Sequence, residues 1–293
     1  MGVKDLERAL LIGVTVLLCS AAGAICGESG GAAIPHGTVE LLAESGSIAA
    51  GRTVNLGLRF QLEKGWHVYW INPGDSGEPP KVKWDLPPGL TAGSMEWPTP
   101  SRLGTASVRD FGYEDGVMLI LPVHAEKGFG GAQTAQIAGN VSVLVCREMC
   151  IPGKAKVLLT LPVKAQAPAV DARNEELFAA TRKSLPKVAP ANWKFRASDE
   201  AGNFVLTGSV GRQVQEATFY PLMESQIDNA AEQKVVATPA GFRLTLRKSE
   251  QLQKPIARLK GVLVLGPGQA YEIDAPVVKT SAATEVGTHP AKS

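Results

Sequence analysis

The sequence lacks a strong charge of either sign, is poor in cysteine, and after residue 18 has no apolar run of membrane-spanning length. Its 293 residues carry 30 Lys and Arg against 28 Asp and Glu, which gives a net charge of +2. A charge so near zero provides no electrostatic reason to expect nucleic acid as a partner. With 44% hydrophobic and 20% charged residues, the composition is typical of a globular chain and excludes a largely disordered one.

The N-terminal segment predicts export. Lys4 and Arg8 flank a short polar start, and the apolar run at 9–18 that follows is too short to cross a bilayer and stay there. Small residues at 22–24 stand where a signal peptidase cleaves. We therefore expect residues 1–24 to be a signal peptide and the mature protein to be soluble and periplasmic, with an uncleaved anchor as the alternative.

Alternating apolar and polar residues predict an all-β protein of two domains. Residues 39–165 hold short alternating segments separated by Gly- and Pro-rich turns, which indicates an immunoglobulin-like β-sandwich. Residues 166–192 are interpreted as a linker with a short helix at 174–185. Residues 193–279 predict a second, smaller β-rich sandwich. The remaining segments are expected to lack regular structure, with a flexible leader at 25–38 and a disordered tail at 280–293.

Two of the four cysteines lie close together within the first predicted sandwich. Cys19 falls in the predicted signal peptide and Cys26 in the leader, which leaves Cys146 and Cys150. The Val-rich segment before the pair, and the Ile-Pro-Gly at 151–153, predict a hairpin that places the two Cα atoms about 5.5 Å apart, within reach of a disulfide. In an oxidising compartment such a pair is expected to be bridged.

The spacing alone leaves the role of this pair open. A bridge across so short a loop contributes only about 2 kcal/mol in the chain-entropy model. Strained, exposed bridges are also the more easily reduced ones. Redox exchange and a structural staple are therefore equal alternatives at this point. A third interpretation is a metal site in which His67 and His124 add two ligands to the cysteines, although neither histidine is close to them in sequence.

Four motifs follow one another in the first predicted sandwich. They run from Gly65 to Gly77, from Glu96 to Pro100, from Phe111 to Glu114, and from Leu144 to Cys146 with Cys150 to Pro152. Together they resemble the N-terminal periplasmic domain of the DsbD-type thiol:disulfide interchange proteins, especially the ScsB-like branch. The resemblance covers about residues 39–163 closely and about residues 193–278 more loosely.

The resemblance implies an immunoglobulin-like domain whose redox pair is Cys146 and Cys150. We expect no cofactor and no bound metal. His67 and Tyr69, as i and i+2 neighbours on one strand, would face the pair together. The loop around Trp97 would cap the disulfide. Core packing is the alternative role for each aromatic residue. The residues that would line the site are five: His67, Tyr69, Trp97, Phe111 and Tyr113.

The sequence departs from this family in two respects. Its cysteine spacing is shorter than that of the better-known DsbD domain, and the 293 residues contain neither a multi-span membrane segment nor a Cys-x-x-Cys thioredoxin-like domain. We therefore expect a thiol:disulfide exchange module, one component of a protein-disulfide reductase. Its electrons would come from a separate membrane-embedded DsbD- or CcdA-like donor and go to periplasmic thioredoxin-like or disulfide-containing clients.

Two other functions stay open on the sequence. One is a non-catalytic periplasmic binding module in which the disulfide is only structural. The other is copper or zinc handling, since the resemblance associates the ScsB-like branch with metal stress. The resemblance also links the chain to cytochrome c assembly and copper tolerance.

Overall fold

The computed structural model describes residues 31–105 and 107–279. Within these residues the regular structure is β apart from one short helix, which confirms the prediction of an all-β protein. The strands form three sheets. No helix among the described residues is long and apolar enough to cross a membrane. The predicted signal peptide and C-terminal tail lie outside the described residues.

The first block contains two sheets whose inner faces share one hydrophobic core. Its strands, in chain order, are β1 (Ala32–Ile34), β2 (Gly37–Ala43), β3 (Thr53–Leu62), β4 (His67–Gly74), β5 (Lys81–Asp85), β6 (Leu90–Ala92), β7 (Ser101–Gly104), β8 (Arg109–Glu114), β9 (Gly116–Ala125), β10 (Thr134–Cys146) and β11 (Cys150–Pro162). The order is β1-β2-β3-β9-β6 in one sheet and β11-β10-β4-β8-β7 in the other. This is the predicted sandwich, although it begins before residue 39, because β1 and the start of β2 occupy part of the expected leader.

Strand β10 organises the second of these sheets. It pairs with β11 over its whole length, as the alternating apolar residues on both strands predict. On its other edge it pairs with β5 over residues 138–142 and with β4 only at Cys146, opposite His67. The end of β10 therefore brings the first cysteine beside the first residue of β4.

The predicted helix is present as α1 (Glu175–Ser184), with Asn174 as its N-cap residue. It is not a free linker element. Phe178, which is 1% exposed, packs against Met118 and Ile120 of β9, and the Asn174 side-chain amide donates to the Ala43 carbonyl. The helix thus covers the outer side of the first sheet.

The second block forms one eight-stranded sheet that folds over its own core. Its strands are β12 (Lys187–Val188), β13 (Lys194–Glu200), β14 (Asn203–Ser209), β15 (Thr218–Pro221), β16 (Lys234–Thr238), β17 (Gly241–Arg247), β18 (Arg258–Val264) and β19 (Ala270–Lys279). Strand β19 pairs with β18 over residues 270–276 and with β13 over residues 277–279, so it links the two parts of the sheet.

The two blocks are packed together through aromatic side chains. Tyr220 of β15 lies edge-on to Trp70 and Phe111 of the first block, with ring centroids 6.3 and 5.2 Å away. Tyr220 and Val262 belong to the same buried cluster as the core of the first sandwich. Packing of these three aromatic rings against one another stabilises the contact between the two blocks.

Candidate functional site

The site is built around a disulfide between Cys146, the last residue of β10, and Cys150, the first residue of β11. The two are register partners, with Cα atoms 4.1 Å apart. This is closer than the 5.5 Å expected from a hairpin. The reason is that the next pair, Arg147 and Met149, is the hydrogen-bonded one, so the cysteines occupy the narrower non-hydrogen-bonded position.

The disulfide lies on the outer face of its sheet. In β4, Val68 and Trp70 point into the core cluster, whereas the alternate residues His67 and Tyr69 do not belong to it. His67 is the register partner of Cys146, so these side chains meet on the outer face. Strand alternation therefore places His67 and Tyr69 on the same face of the sheet as the cysteine pair, as the sequence analysis predicts.

The two cysteine residues differ in solvent exposure. Cys146 is 2% exposed, whereas Cys150 belongs to the exposed tip of the hairpin. Met149 beside it is 66% exposed, which is high for a large apolar side chain. An attacking thiol can therefore reach Cys150 while Cys146 stays covered.

The Tyr69 hydroxyl contacts both sulfurs. It donates to Cys146 Sγ at 3.0 Å and lies 3.4 Å from Cys150 Sγ. Burial raises the pKa of Tyr69 above its usual value; the Asp110 carboxylate raises it further, and the hydroxyl of Ser76 opposes the shift. The phenol consequently keeps its proton at physiological pH and remains a hydrogen-bond donor.

His67 is held neutral beside this group. Its ring lies edge-on to the Tyr69 ring at 5.2 Å, and its buried Nε2 has no hydrogen-bond partner among the described residues. Burial lowers the pKa of His67, and this effect outweighs the opposite influence of Asp110 and Glu114. A neutral ring leaves the surroundings of the disulfide without an added positive charge.

The loop that covers the site connects β4 to β5 and comprises residues 75–80, here called the cap loop. Gly77 has a φ of +81°, and a Cβ atom at that residue would lie 2.1 Å from Cζ of Tyr69. The loop therefore lies directly on the tyrosine ring. Ser76 anchors the cap loop to β8, since its backbone N–H and its hydroxyl both donate to Asp110 Oδ1, at 2.9 and 3.0 Å.

The second block also holds the cap loop. The Asn229 side chain donates to Asp75 Oδ1 at 2.8 Å, and Asn72, just before the loop, donates to the carbonyl of Pro221 at 2.7 Å. Asp75 Oδ2 accepts from the backbone N–H of Arg109 in the first block. The cap loop is thus anchored by both blocks, an arrangement that no local sequence pattern indicates.

Three of the predicted site residues are not brought to the disulfide. Phe111 and Tyr113 alternate with Asp110 on β8, so they face the core, where the Tyr113 hydroxyl donates to the Pro98 carbonyl at 2.7 Å. Trp97 packs partly buried against the same core and lines a cavity between the blocks together with Trp70. Residues 75–80, and not the loop around Trp97, lie against Tyr69, whose hydroxyl contacts both sulfurs.

The structure does not assemble the metal site considered from the sequence. His124 lies on β9, in the other sheet, with its Nδ1 3.3 Å from the Thr53 hydroxyl. Across residues 31–105 and 107–279 there is no group of three or more His, Cys, Asp or Glu side chains placed to hold a metal ion. The chemistry that the site offers is therefore that of its sulfur pair and the neighbouring phenol.

Comparison with known proteins agrees with this geometry. Residues 38–162 match the family described as thiol:disulfide interchange protein DsbD, N-terminal. The chain is similar in fold to the N-terminal periplasmic domain of ScsB from Proteus mirabilis, with a TM-score of 0.60 and 16% identity over 82% of this chain and 91% of that one.

Two further solved structures match much more weakly. Domains 5–6 of the S-layer protein SbsC have a TM-score of 0.21 and 11% identity, over 85% of this chain and 100% of that one. The YadV chaperone has a TM-score of 0.20 and 10% identity, over 80% and 98% of the two chains. A search of curated proteins finds no match.

Proposed function

Since residues 38–162 form a domain of the DsbD N-terminal type, we propose that this chain carries electrons between periplasmic thiol proteins through its Cys146–Cys150 disulfide. The observation that supports this most directly is the asymmetry of the pair. Cys150 is an exposed residue, whereas Cys146 is buried and its Sγ accepts a hydrogen bond from the Tyr69 hydroxyl at 3.0 Å. A structural staple requires neither property.

The exchange would begin at the exposed sulfur. A thiolate of the donor attacks Cys150 Sγ, the Cys146–Cys150 bond breaks, and Cys146 leaves as a thiolate that takes a proton from solvent. A second thiol of the donor then attacks the mixed disulfide and releases Cys150. The donor ends as a disulfide and this chain as a dithiol, so two electrons have been transferred. The same steps in reverse reduce a client disulfide.

Tyr69 would assist the first step. Negative charge develops on Cys146 Sγ as the disulfide breaks, and the Tyr69 hydroxyl already points at that atom. Hydrogen bonds to charged groups are worth more than those to neutral ones, so this contact strengthens as the thiolate forms. Tyr69 is therefore assigned as the group that stabilises the leaving sulfur.

The partners follow from the family rather than from the geometry. The donor would be a membrane-embedded DsbD- or CcdA-like protein, and the clients thioredoxin-like or disulfide-containing proteins of the periplasm. Export by the segment at 1–24 would bring the chain to that compartment. Cytochrome c assembly and copper tolerance are the processes with which the family resemblance associates such a module.

Trapping of mixed disulfides tests the proposal. Cys146→Ser leaves the exposed Cys150, which should form a stable mixed disulfide with its partner because no second thiol resolves it. Cys150→Ser leaves only the buried thiol and should trap much less. Non-reducing gels of the exporting cells, followed by identification of the adduct, measure both against the double Ser variant.

The competing function is a binding module with a structural disulfide. In that case neither single variant would enrich a thioredoxin-like or membrane thiol protein above the double Ser control. The reduction potential of the pair would also lie well below about −300 mV, where bridges resist reduction. Either result in the trapping experiment decides between the two functions.

A further inference from the structure

The outer face that carries the disulfide also carries a cluster of positive charge. Strand β10 is flanked there by lysines on both neighbouring strands, at positions that the pairing register places in two rows. One row is Lys81, Ser142 and Lys154, and the other is Lys83, Asn140 and Lys156. The four lysines of these rows are called the lysine face below.

The charges of the lysine face are largely uncompensated. Lys81 contacts Glu78 at 2.6 Å. Among the described residues, no carboxylate lies within the 4 Å of an ion pair from Lys83, Lys154 or Lys156. From sheet geometry the lysines stand about 10 Å apart across β10 and about 7 Å apart along each strand. The side chains therefore form one compact, exposed patch of like charge.

The lysine face and the disulfide lie on one continuous surface. Ser142 and Cys146 are separated by four residues of β10, which is about 13 Å, and an even separation places them on the same side. Leu144 and the exposed Pro152, an uncharged pair, lie between them. A protein interface covers about 800 Å² on each partner, so a protein that docks on Cys150 from this side also covers the lysines.

We propose that the lysine face binds carboxylates on the thiol protein that exchanges with Cys150. That partner would carry an acidic patch about 13–20 Å from its reactive cysteine, at the separation that the strand geometry sets. This inference rests on the proposed exchange function. A protein partner fits better than an anionic membrane, because exchange at the same face needs a thiol, which a lipid surface does not supply.

Charge complementarity of this kind accelerates encounter and is weakened by salt. The test uses two synthetic peptides, each with one cysteine, a proline spacer of about five residues, and either four Asp or four Asn. The spacer is stiff and spans about 16 Å. The measured quantity is the second-order rate constant for mixed-disulfide formation at Cys150, at about 20 mM and about 500 mM salt.

The acidic peptide should react about tenfold faster than its Asn counterpart at low salt, with the ratio falling towards one at high salt. The combined variant Lys83→Gln, Lys154→Gln, Lys156→Gln should lose this advantage and keep the rate for the Asn peptide. The matched control, Lys194→Gln, Lys234→Gln, Lys254→Gln, makes the same change in charge on exposed lysines of the second block. It should keep the advantage, and thermal unfolding verifies that both variants are folded.

The opposite results distinguish failure of the docking proposal from failure of the proposed exchange function. If both peptides react with Cys150 at equal rates, or if the lysine variants leave the preference intact, the lysine face is not a docking surface and the exchange function stands. If neither peptide forms an adduct, the exchange function fails and this inference with it. Lysine-dependent sedimentation with vesicles of phosphatidylglycerol and phosphatidylcholine, without any peptide preference, would assign the face to membrane binding and overturn the proposal.

Discussion

At the scale of single residues, we expect the hydroxyl of Tyr69 to influence how easily the disulfide is reduced, because it donates to Cys146 Sγ. Tyr69→Phe removes the donor to Cys146 Sγ and leaves the ring in place. A hydrogen bond to a charged group is worth about 1.5–3 kcal/mol, so reduction by dithiothreitol should slow by about tenfold or more. Quenched thiol labelling over time measures the rate.

Tyr113→Phe is the matched control for this change. Its hydroxyl is also buried, but it donates to the Pro98 carbonyl and not to sulfur. It should lower the free energy of unfolding by about 1 kcal/mol and leave the reduction rate unchanged. An equal slowing in both variants would show that Tyr69 acts only through packing.

The residue scale also shows what sequence patterns can and cannot identify. Cys146 and Cys150 are predictable from their spacing, and His67 and Tyr69 from alternation along one strand together with the family resemblance. Ser76 and Asp110 were missed, because Ser76 lies in the cap loop and Asp110 on β8, and the two residues are far apart in sequence and meet only in the folded chain. Phe111 was expected at the site but faces the core. Alternate residues of β8 point to opposite faces of the sheet, and the pairing of β8 turns Phe111 inward.

At the scale of elements, the cap loop is the part whose sequence is most constrained by the site. Gly77→Ala places a Cβ atom where the Tyr69 ring lies, at a φ that favours glycine. We expect a loss of about 1–3 kcal/mol in the free energy of unfolding, displacement of the loop, and faster reaction of the disulfide with small thiols. Urea unfolding and dithiothreitol kinetics measure the two effects.

Gly211→Ala provides the comparison, because Gly211 has a similar φ of +76° with no atom near its Cβ position. It should share the cost in stability and show no change in disulfide reactivity. Unchanged reactivity in the Gly77 variant would mean that the loop does not limit access to the sulfur pair.

The elements themselves were largely predictable. The hairpin of β10 and β11 and the helix α1 occur where alternation and capping residues indicate them. Residues 72–77, Asn-Pro-Gly-Asp-Ser-Gly, have the composition of a turn, yet β4 continues to Gly74 with an irregular pairing to β8 after Tyr69. Pro and Gly signals mark a change of direction, but they do not show that the chain folds back over its own strand.

At the scale of the whole molecule, the second block is coupled to the site through the cap loop. Asn229→Ala removes the side-chain bond to Asp75, which is one of the contacts between the blocks. Loss of one such bond should cost about 1 kcal/mol and leave the cap loop less firmly held. We expect the disulfide to react a few-fold faster with dithiothreitol, with the fold intact by circular dichroism.

Asn203→Ala, in the second block and away from the contact, is a suitable control and should leave the reactivity unchanged. If the Asn229 variant also behaves as the unmodified chain does, the second block has no influence on the sulfur pair. The packing of Tyr220 on the first block would then be purely structural.

The arrangement of the blocks is the least predictable level. Periodicity indicates that each is a β-rich unit, because it depends on residues close in sequence. It does not show that Tyr220 of the second block closes over Trp70 of the first, since that contact joins residues 150 positions apart. The helix predicted within the linker at 166–192 is present as α1, but it packs on the first block instead of lying free between the blocks.

Because Cys146 is covered, the hairpin presents a single reactive sulfur on a single side of the molecule. In the proposed exchange, donor and client would occupy the same place in turn, so no ternary complex would form and each partner would have to leave before the next could bind. Very tight docking would therefore lower the overall rate of exchange, because the bound partner would dissociate slowly. A carrier of this form would work best with short-lived complexes, and contacts made by exposed surface charges such as the lysine face, which form quickly and part readily, suit that requirement.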